Sequence, residues 1–253
     1  MTKFLDLHCH LDLYPDFEAL VRECEREEIY TLAVTTTPRA WARNTSIAKG
    51  SKYVRTALGF HPQLVATHAN ELRLWESLLH EAMYVGEVGL DASPRYVKSL
   101  PEQRRLFERV LDACNTQGGK ILSIHAVRTV STVLDMIEDR LDLNANTPVL
   151  HWFSGSVSEA KRAAAMGCMF SINDRMLGKP KSTGLLDAIP LQCMLTETDG
   201  PFTETAGQPS RPRDVAVCVS NLGTSLGKDP EDVKALVFGN FKRTLLKAQS
   251  ALD

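Results

Sequence analysis

Short apolar runs, many of them β-branched, recur along the chain and alternate with longer stretches of helical period. The runs FLDLH, TLAVTTT, VRTALGF, MYVGEVGL, ILSIH, TPVLHWF, CMFSIN and QCMLTETD read as eight strands. Their near-continuous apolarity suits a parallel sheet covered on both faces. Between them, DFEALVRECERE sets Phe17, Leu20, Val21 and Cys24 on one helical face. PEQRRLFERVLDACNTQGG opens on Pro101 as a first helical residue, carries Phe107, Val110, Leu111 and Cys114 on one side, and stops at Gly118 and Gly119. SVSEAKRAAAMG has Ser156 as its cap, Glu159 in its first turn and Gly167 as its terminator. DPEDVKALVFGNFKRTLLKAQ reads as two closing helices joined near Gly239.

Eight strands, each followed by a helix or a helix-sized segment, is the count of an α/β (β/α)8 TIM barrel. The expectation is therefore one barrel over residues 1–253 with closing C-terminal helices, ahead of an open doubly wound sheet. No repeat, low-complexity tract or composition break marks a linker.

Composition adds limits. The 253 residues are 43% hydrophobic and 24% charged, enough apolar material for a sizeable core, and the net charge of −2 gives no global basic field to attract nucleic acid. The beginning of the chain lacks the apolar core of a signal peptide, and no run approaches the roughly 18 apolar residues of a membrane span. Cys9, Cys24, Cys114, Cys168, Cys193 and Cys218 are scattered without C-x-x-C spacing, which fits buried, reduced thiols. A cytoplasmic protein is expected.

The polar residues inside the strand runs change this picture. In a barrel of this kind the active site lies where the strands end and the βα loops converge. His8 and His10 close the first strand; their spacing puts both on one face, with Cys9 directed to the helix layer. His61 follows strand three, Glu87 ends strand four, His125 strand five, His151 strand six and Asp199 strand eight. Five of the seven histidines stand at strand ends, and only His68 and His80 do not. A lone H-x-H or a lone buried Glu is ordinarily structural. Imidazoles and carboxylates meeting from five strand ends are the donor set of a divalent-metal site without thiolate, suited to Mg²⁺, Mn²⁺ or Zn²⁺. Glu87 is placed to bridge two ions, about 3.5–4 Å apart in such sites, and Asp199 to bind one while taking the proton of an attacking water.

The segments DLHCHLD, ALGFHP, GEVGLD, QRRLFERVLDACNTQGGKILSIH, VLHWFSG, TETDGP and GNFKRTL, in that order over nearly the whole chain, resemble the TatD family of metal-dependent hydrolases in the amidohydrolase superfamily. Within it, LDLYPD, AVTTTPRAW, LHWFSGS and LTETDGPF are similar to the TatD-type nuclease of the bacterial Qat anti-phage defence system. The resemblance implies a (β/α)8 barrel and a two-metal deoxyribonuclease acting on DNA ends, with other proteins of such a system as partners. By position it implies one metal on His8, His10, Glu87 and Asp199, and a second on Glu87, His125 and His151. It makes Asp199 the general base, and it sets His61, Arg128 and Arg211 against the phosphates. Three features depart from the family pattern. GLDASPRYV places Ser93 and Pro94 where aromatic residues and Arg are usual; Arg128 stands three residues after His125 rather than two; and SRPRDV replaces the usual loop after strand eight. Arg95, Lys98 and Arg213 are further cations expected near the mouth.

Two other readings remain open at this level. One is a C–N or ester hydrolase of the same superfamily, although Glu87 stands where those enzymes often carry a carboxylated Lys. The other is a non-catalytic, metal-stabilised subunit of a defence complex.

Overall fold

The computed structural model describes residues 2–177 and 182–252. Eight parallel strands appear where the apolar runs predict them: β1 Leu5–Cys9, β2 Tyr30–Val34, β3 Val54–Ala57, β4 Tyr84–Asp91, β5 Ile121–Val127, β6 Thr147–His151, β7 Met169–Ile172 and β8 Met194–Thr196. The helices between them are α1 Phe17–Glu27, α2 Pro38–Ala48, α3 Val65–His68, α4 Leu72–Leu78, α5 Leu100–Gln117, α6 Val130–Arg140, α7 Val157–Met166 and α8 Ser182–Ala188. A short hairpin, β9 Glu204–Thr205 and β10 Gln208–Pro209, precedes α9 Val215–Leu226 and α10 Pro230–Ser250.

Hydrogen bonding runs through β1-β2-β3 and through β4-β5-β6-β7-β8, and two seams close the ring. At one, Leu58 pairs with Val85, Leu58 N donates to Tyr84 O (2.9 Å) and Gly86 N to Leu58 O (3.0 Å). At the other, Asp199 N donates to His8 O (2.8 Å) and Thr196 Oγ1 to Leu5 O (2.6 Å). The sheet is therefore a closed (β/α)8 barrel rather than an open doubly wound sheet.

Two strands each carry one extra residue, and both extra residues lie beside the polar cluster. Asp6 pairs with Thr31 and Cys9 with Ala33, so β1 spends three steps where β2 spends two. Plain alternation from Asp6 would send His8 and His10 out with it. The bulge instead leaves Cys9 packed against Phe17, Leu20 and Cys24 of α1, and turns both imidazoles inward. In β4 the same slip falls between Val85 and Val88, at Gly86–Glu87. Gly86 has φ +155°, and a Cβ there would stand 2.8 Å from the Cβ of Ser123. Only glycine lets β4 come that close to β5.

The local signals hold. Ser156 and Glu159 form a capping box, Gly167 ends α7 in the left-handed region, and Pro101 is the second rather than the first residue of α5. All six cysteines are buried and unpaired. Among the described residues no helix is long and apolar enough to cross a membrane.

The join near Gly239 requires correction. Residues Pro230–Ser250 form one helix, and the break between the closing helices falls at Gly227, φ +62°. A glycine inside a helix costs about 1 kcal/mol. Burial of Val233, Val237, Phe238, Phe241 and Ala248 on α10 outweighs that. This helix lies across the amino-terminal mouth of the barrel. Asn240 Nδ2 donates to Leu191 O (2.8 Å) and Met194 O (2.7 Å), and Lys247 Nζ to Asn146 O (3.1 Å), all at or just before strand starts.

Candidate metal centre

At the opposite mouth the sequence-predicted residues converge on Glu87, which is 2% exposed at the β4 bulge. Its two oxygens serve different partners. Oε2 lies 3.5 Å from His8 Nε2 and 3.3 Å from His10 Nε2. Oε1 lies 3.2 Å from His61 Nε2, 2.6 Å from His125 Nδ1 and 3.0 Å from His151 Nε2. Asp199 Oδ1 stands 3.5 and 3.6 Å from the Nε2 atoms of His8 and His10. The rings of His8 and His151 stack at 3.9 Å.

This packing tests whether a cation fits. Asp199 Oδ1 is buried with no hydrogen-bond partner. The Nε2 atoms of His8 and His10 face each other at 3.2 Å. Two imidazole nitrogens and a carboxylate oxygen about 3.5 Å apart are too far for good hydrogen bonds. They are spaced as donors about 2.0–2.2 Å from a shared ion would be. Three groups, His8–His10–Glu87, His8–His151–Asp199 and His61–Glu87–His125, each offer donor atoms within 4.8 Å of one another. The cluster can bind metal.

Electrostatics point the same way. Burial pushes the Asp199 carboxyl up to about 7, against the pull of His151 and His10. Burial also opposes charge on Glu87, but His61, His151 and the other imidazoles hold it well below the usual carboxylate range. Burial depresses His8 and His61. In His10 and His151 burial is overcome, mainly by Glu87, with Glu197 adding to the effect on His151, and both imidazoles are raised. Without a cation the cluster therefore keeps protons that a metal would displace.

A surrounding shell orients these groups, and the sequence reading had not singled it out. Ser123 Oγ meets His8 Nδ1 at 2.7 Å, directing Nε2 inward. Asp91 Oδ2 lies 3.1 Å from His125 Nε2 and accepts from Gln63 Nε2 (2.7 Å), while Asp91 Oδ1 accepts from Ser93 N (2.7 Å). Glu197 faces His151 Nδ1 at 3.5 Å and accepts from Ser171 Oγ, Asn173 Nδ2 (2.9 Å) and Trp152 N (3.0 Å). Asp91 lies in GEVGLD and Glu197 in TETDGP, but alternation does not place them, because Glu87 sits in the β4 bulge and Glu197 and Asp199 lie beyond β8. Asp199 itself has φ +53°, a strained position for a non-glycine residue, fixed by its N–H on His8 O and by Phe202 N on its own carbonyl (2.9 Å).

The tautomer of His61 is set by a backbone contact. Its Nδ1 accepts from Gln63 N (3.2 Å), so the neutral ring carries its proton on Nε2, toward the cluster. The predicted cations are less well placed. Arg128 is exposed at the end of β5, φ +58°, one residue past the cavity-lining Val127. Arg211 is not brought to the cavity. Its guanidinium is bidentate on Asp16 (2.9 and 3.2 Å) and lies over the Tyr14 ring. Arg213 is paired with Glu23 at 3.1 Å. The cavity, about 310 Å³, is lined by cluster residues together with Gln63, Ala126, Val127, Trp152, Ser154 and Phe202.

Known proteins share this architecture. The model of the family described as TatD related DNase matches residues 5–246. An uncharacterized metal-dependent hydrolase of Escherichia coli, YjjV, is 28% identical over 97% of this chain and 98% of its own. Its crystal structure superposes with a TM-score of 0.78, covering 96% of this chain and 97% of that one. Human deoxyribonuclease TATDN3 is 22% identical over 98% of this chain and 97% of its own.

Proposed function

The chain belongs to the TatD-related DNase family, and on that premise we propose that it is a divalent-metal-dependent phosphodiesterase that trims DNA from an end. The observation that carries this is the division of Glu87, with Oε2 facing His8 and His10 and Oε1 facing His61, His125 and His151. A carboxylate so placed would serve two cations. Bound there, divalent ions neutralise phosphoryl charge and make water more acidic.

The chain's own groups divide the remaining work. His8, His10, Glu87 and Asp199 would hold one ion, and Glu87, His125 and His151 the other. Asp91 and Glu197 fix the rings of His125 and His151 from behind. His61 offers its Nε2 proton to a non-bridging oxygen of the scissile phosphate, a role its tautomer supports. Asp199, buried and set on a strained turn, accepts the proton of the attacking water. Arg128 at the rim is placed for the flanking phosphate, whereas the Asp16 pairing argues against that role for Arg211. The likeness of AVTTTPRAW, LHWFSGS and LTETDGPF to the Qat-system nuclease supports a place in anti-phage defence, acting with partner proteins.

End-labelled single- and double-stranded oligonucleotides incubated with Mn²⁺ or Mg²⁺ test the reading. The wild type shortens them, chelator stops it, and Asp199→Asn lowers the rate by at least about 100-fold, the scale of a lost general base, while its circular dichroism is unchanged. Equal rates for wild type and variant on every DNA offered would sink the proposal.

A further inference from the structure

Phe202 is 61% exposed and is the one aromatic among the large, exposed apolar side chains of the described residues. It stands three residues beyond the buried Asp199, and its N–H donates to the Asp199 carbonyl. Its ring meets His10 edge to face, centroids 5.1 Å apart and planes at 85°, which leaves most of the ring open. Trp152 borders the same cavity. It follows His151 with φ +38°, and its backbone N–H is tied to Glu197. Ala126 and Val127 continue the apolar lining, and no Lys or Arg among the described residues lines the cavity.

A phosphate and sugar would give these walls nothing to hold. A flat, apolar π-face would, and in a nucleic acid that face is the base. A cavity of about 310 Å³ reaches the lower bound of small-ligand sites, about 300 Å³. We propose that Phe202, with Trp152, stacks on the nucleobase next to the scissile phosphate and positions that phosphate on the imidazole–carboxylate cluster. Abasic ends are then poor ligands. This rests on the reading of the cluster as a phosphodiester-hydrolysing centre.

Binding and cleavage are measured separately on single-stranded oligonucleotides. Each carries 2-aminopurine or an abasic tetrahydrofuran at its terminal nucleotide, with 5′ and 3′ versions of both. In chelator, the wild type quenches 2-aminopurine and binds the base-bearing strand about tenfold tighter than the abasic one, as expected of one stacked base. Phe202→Ala, at an exposed site, loses the quenching and binds both strands alike. Phe202→Trp restores the discrimination. In the cleavage arm Phe202→Ala raises KM for the base-bearing strand and leaves that for the abasic strand unchanged. Equal affinity of the wild type for base-bearing and abasic ends, absence of binding, or an unchanged Phe202→Ala would each overturn the inference. If the wild type binds with quenching but never cleaves, the hydrolytic reading fails and the stacking site stands.

Discussion

The two mouths of the barrel arrange their buried polar groups differently. At the amino-terminal mouth Lys120, 5% exposed, donates through Nζ to Leu79 O (3.0 Å) and Ala82 O (2.9 Å), and Asn240 bridges two carbonyls at the start of β8. Lys247 Nζ likewise donates to Asn146 O, so the long donors of this plug reach backbone acceptors, while Thr147 Oγ1 at the start of β6 is buried without a partner. At the carboxyl-terminal mouth the buried Asp199 Oδ1 has no hydrogen-bond partner, and the Nε2 atoms of His8 and His10 stand 3.5 and 3.6 Å from it and 3.2 Å from each other. Leaving a buried polar atom unpaired costs about 1–3 kcal/mol. A carboxylate and imidazole nitrogens that converge at such spacing mark a place reserved for something the chain does not itself supply.

The comparison sharpens first through pH. Asp199, His10 and His151 all have proton affinities raised in the cation-free protein, and ligation requires those protons to leave. Metal affinity therefore rises with pH and falls as pH drops from 8 toward 5. Each displaced proton contributes up to about tenfold per pH unit, or about 1.4 kcal/mol. Titration of Mn²⁺ at a series of pH values, with proton release read in buffers of different ionisation enthalpy, checks this. A flat profile would break the contrast between the mouths.

A smaller effect is expected at the plug. Asn240→Ala leaves the carbonyls of Leu191 and Met194 without their donor, a loss of about 2 kcal/mol. Denaturant unfolding should show that loss, with kcat per folded molecule unchanged. A fall in kcat with stability intact would mean that the plug and the site are not separate. Smallest is Gly239→Ala. Its Cβ would meet only Arg243 Nη1, at 3.8 Å, so the uninterrupted helix gains up to about 1 kcal/mol. Destabilisation would contradict an unbroken α10.

The ease of reading the sequence also differs between these regions. The eight strands and the convergence of His8, His10, His61, Glu87, His125, His151 and Asp199 were legible, because apolar runs are periodic and strand-end polar residues interrupt them. The bulges in β1 and β4 were not, since one extra residue in a pairing has no composition signature. Alternation alone would have assigned the wrong face to the histidines relative to Asp6. The support of Asp91 for His125 and of Glu197 for His151 was not legible either, because it is a contact between separate strands. Arg211 looked free because Asp16, its partner, lies 195 residues away in sequence. Gly239 reads as a break because local propensity is visible in a sequence, whereas the buried face that overrides it is a tertiary fact.

The central claim is that Glu87 joins two cations held by the flanking imidazoles and Asp199. Protein exchanged into excess Mn²⁺ or Zn²⁺ and freed of loose ions is analysed for metal content, wild type beside Glu87→Gln. The account predicts two equivalents in the wild type and no more than one in the variant. A wild type that retains none, or a variant that retains as many as the wild type, would contradict it.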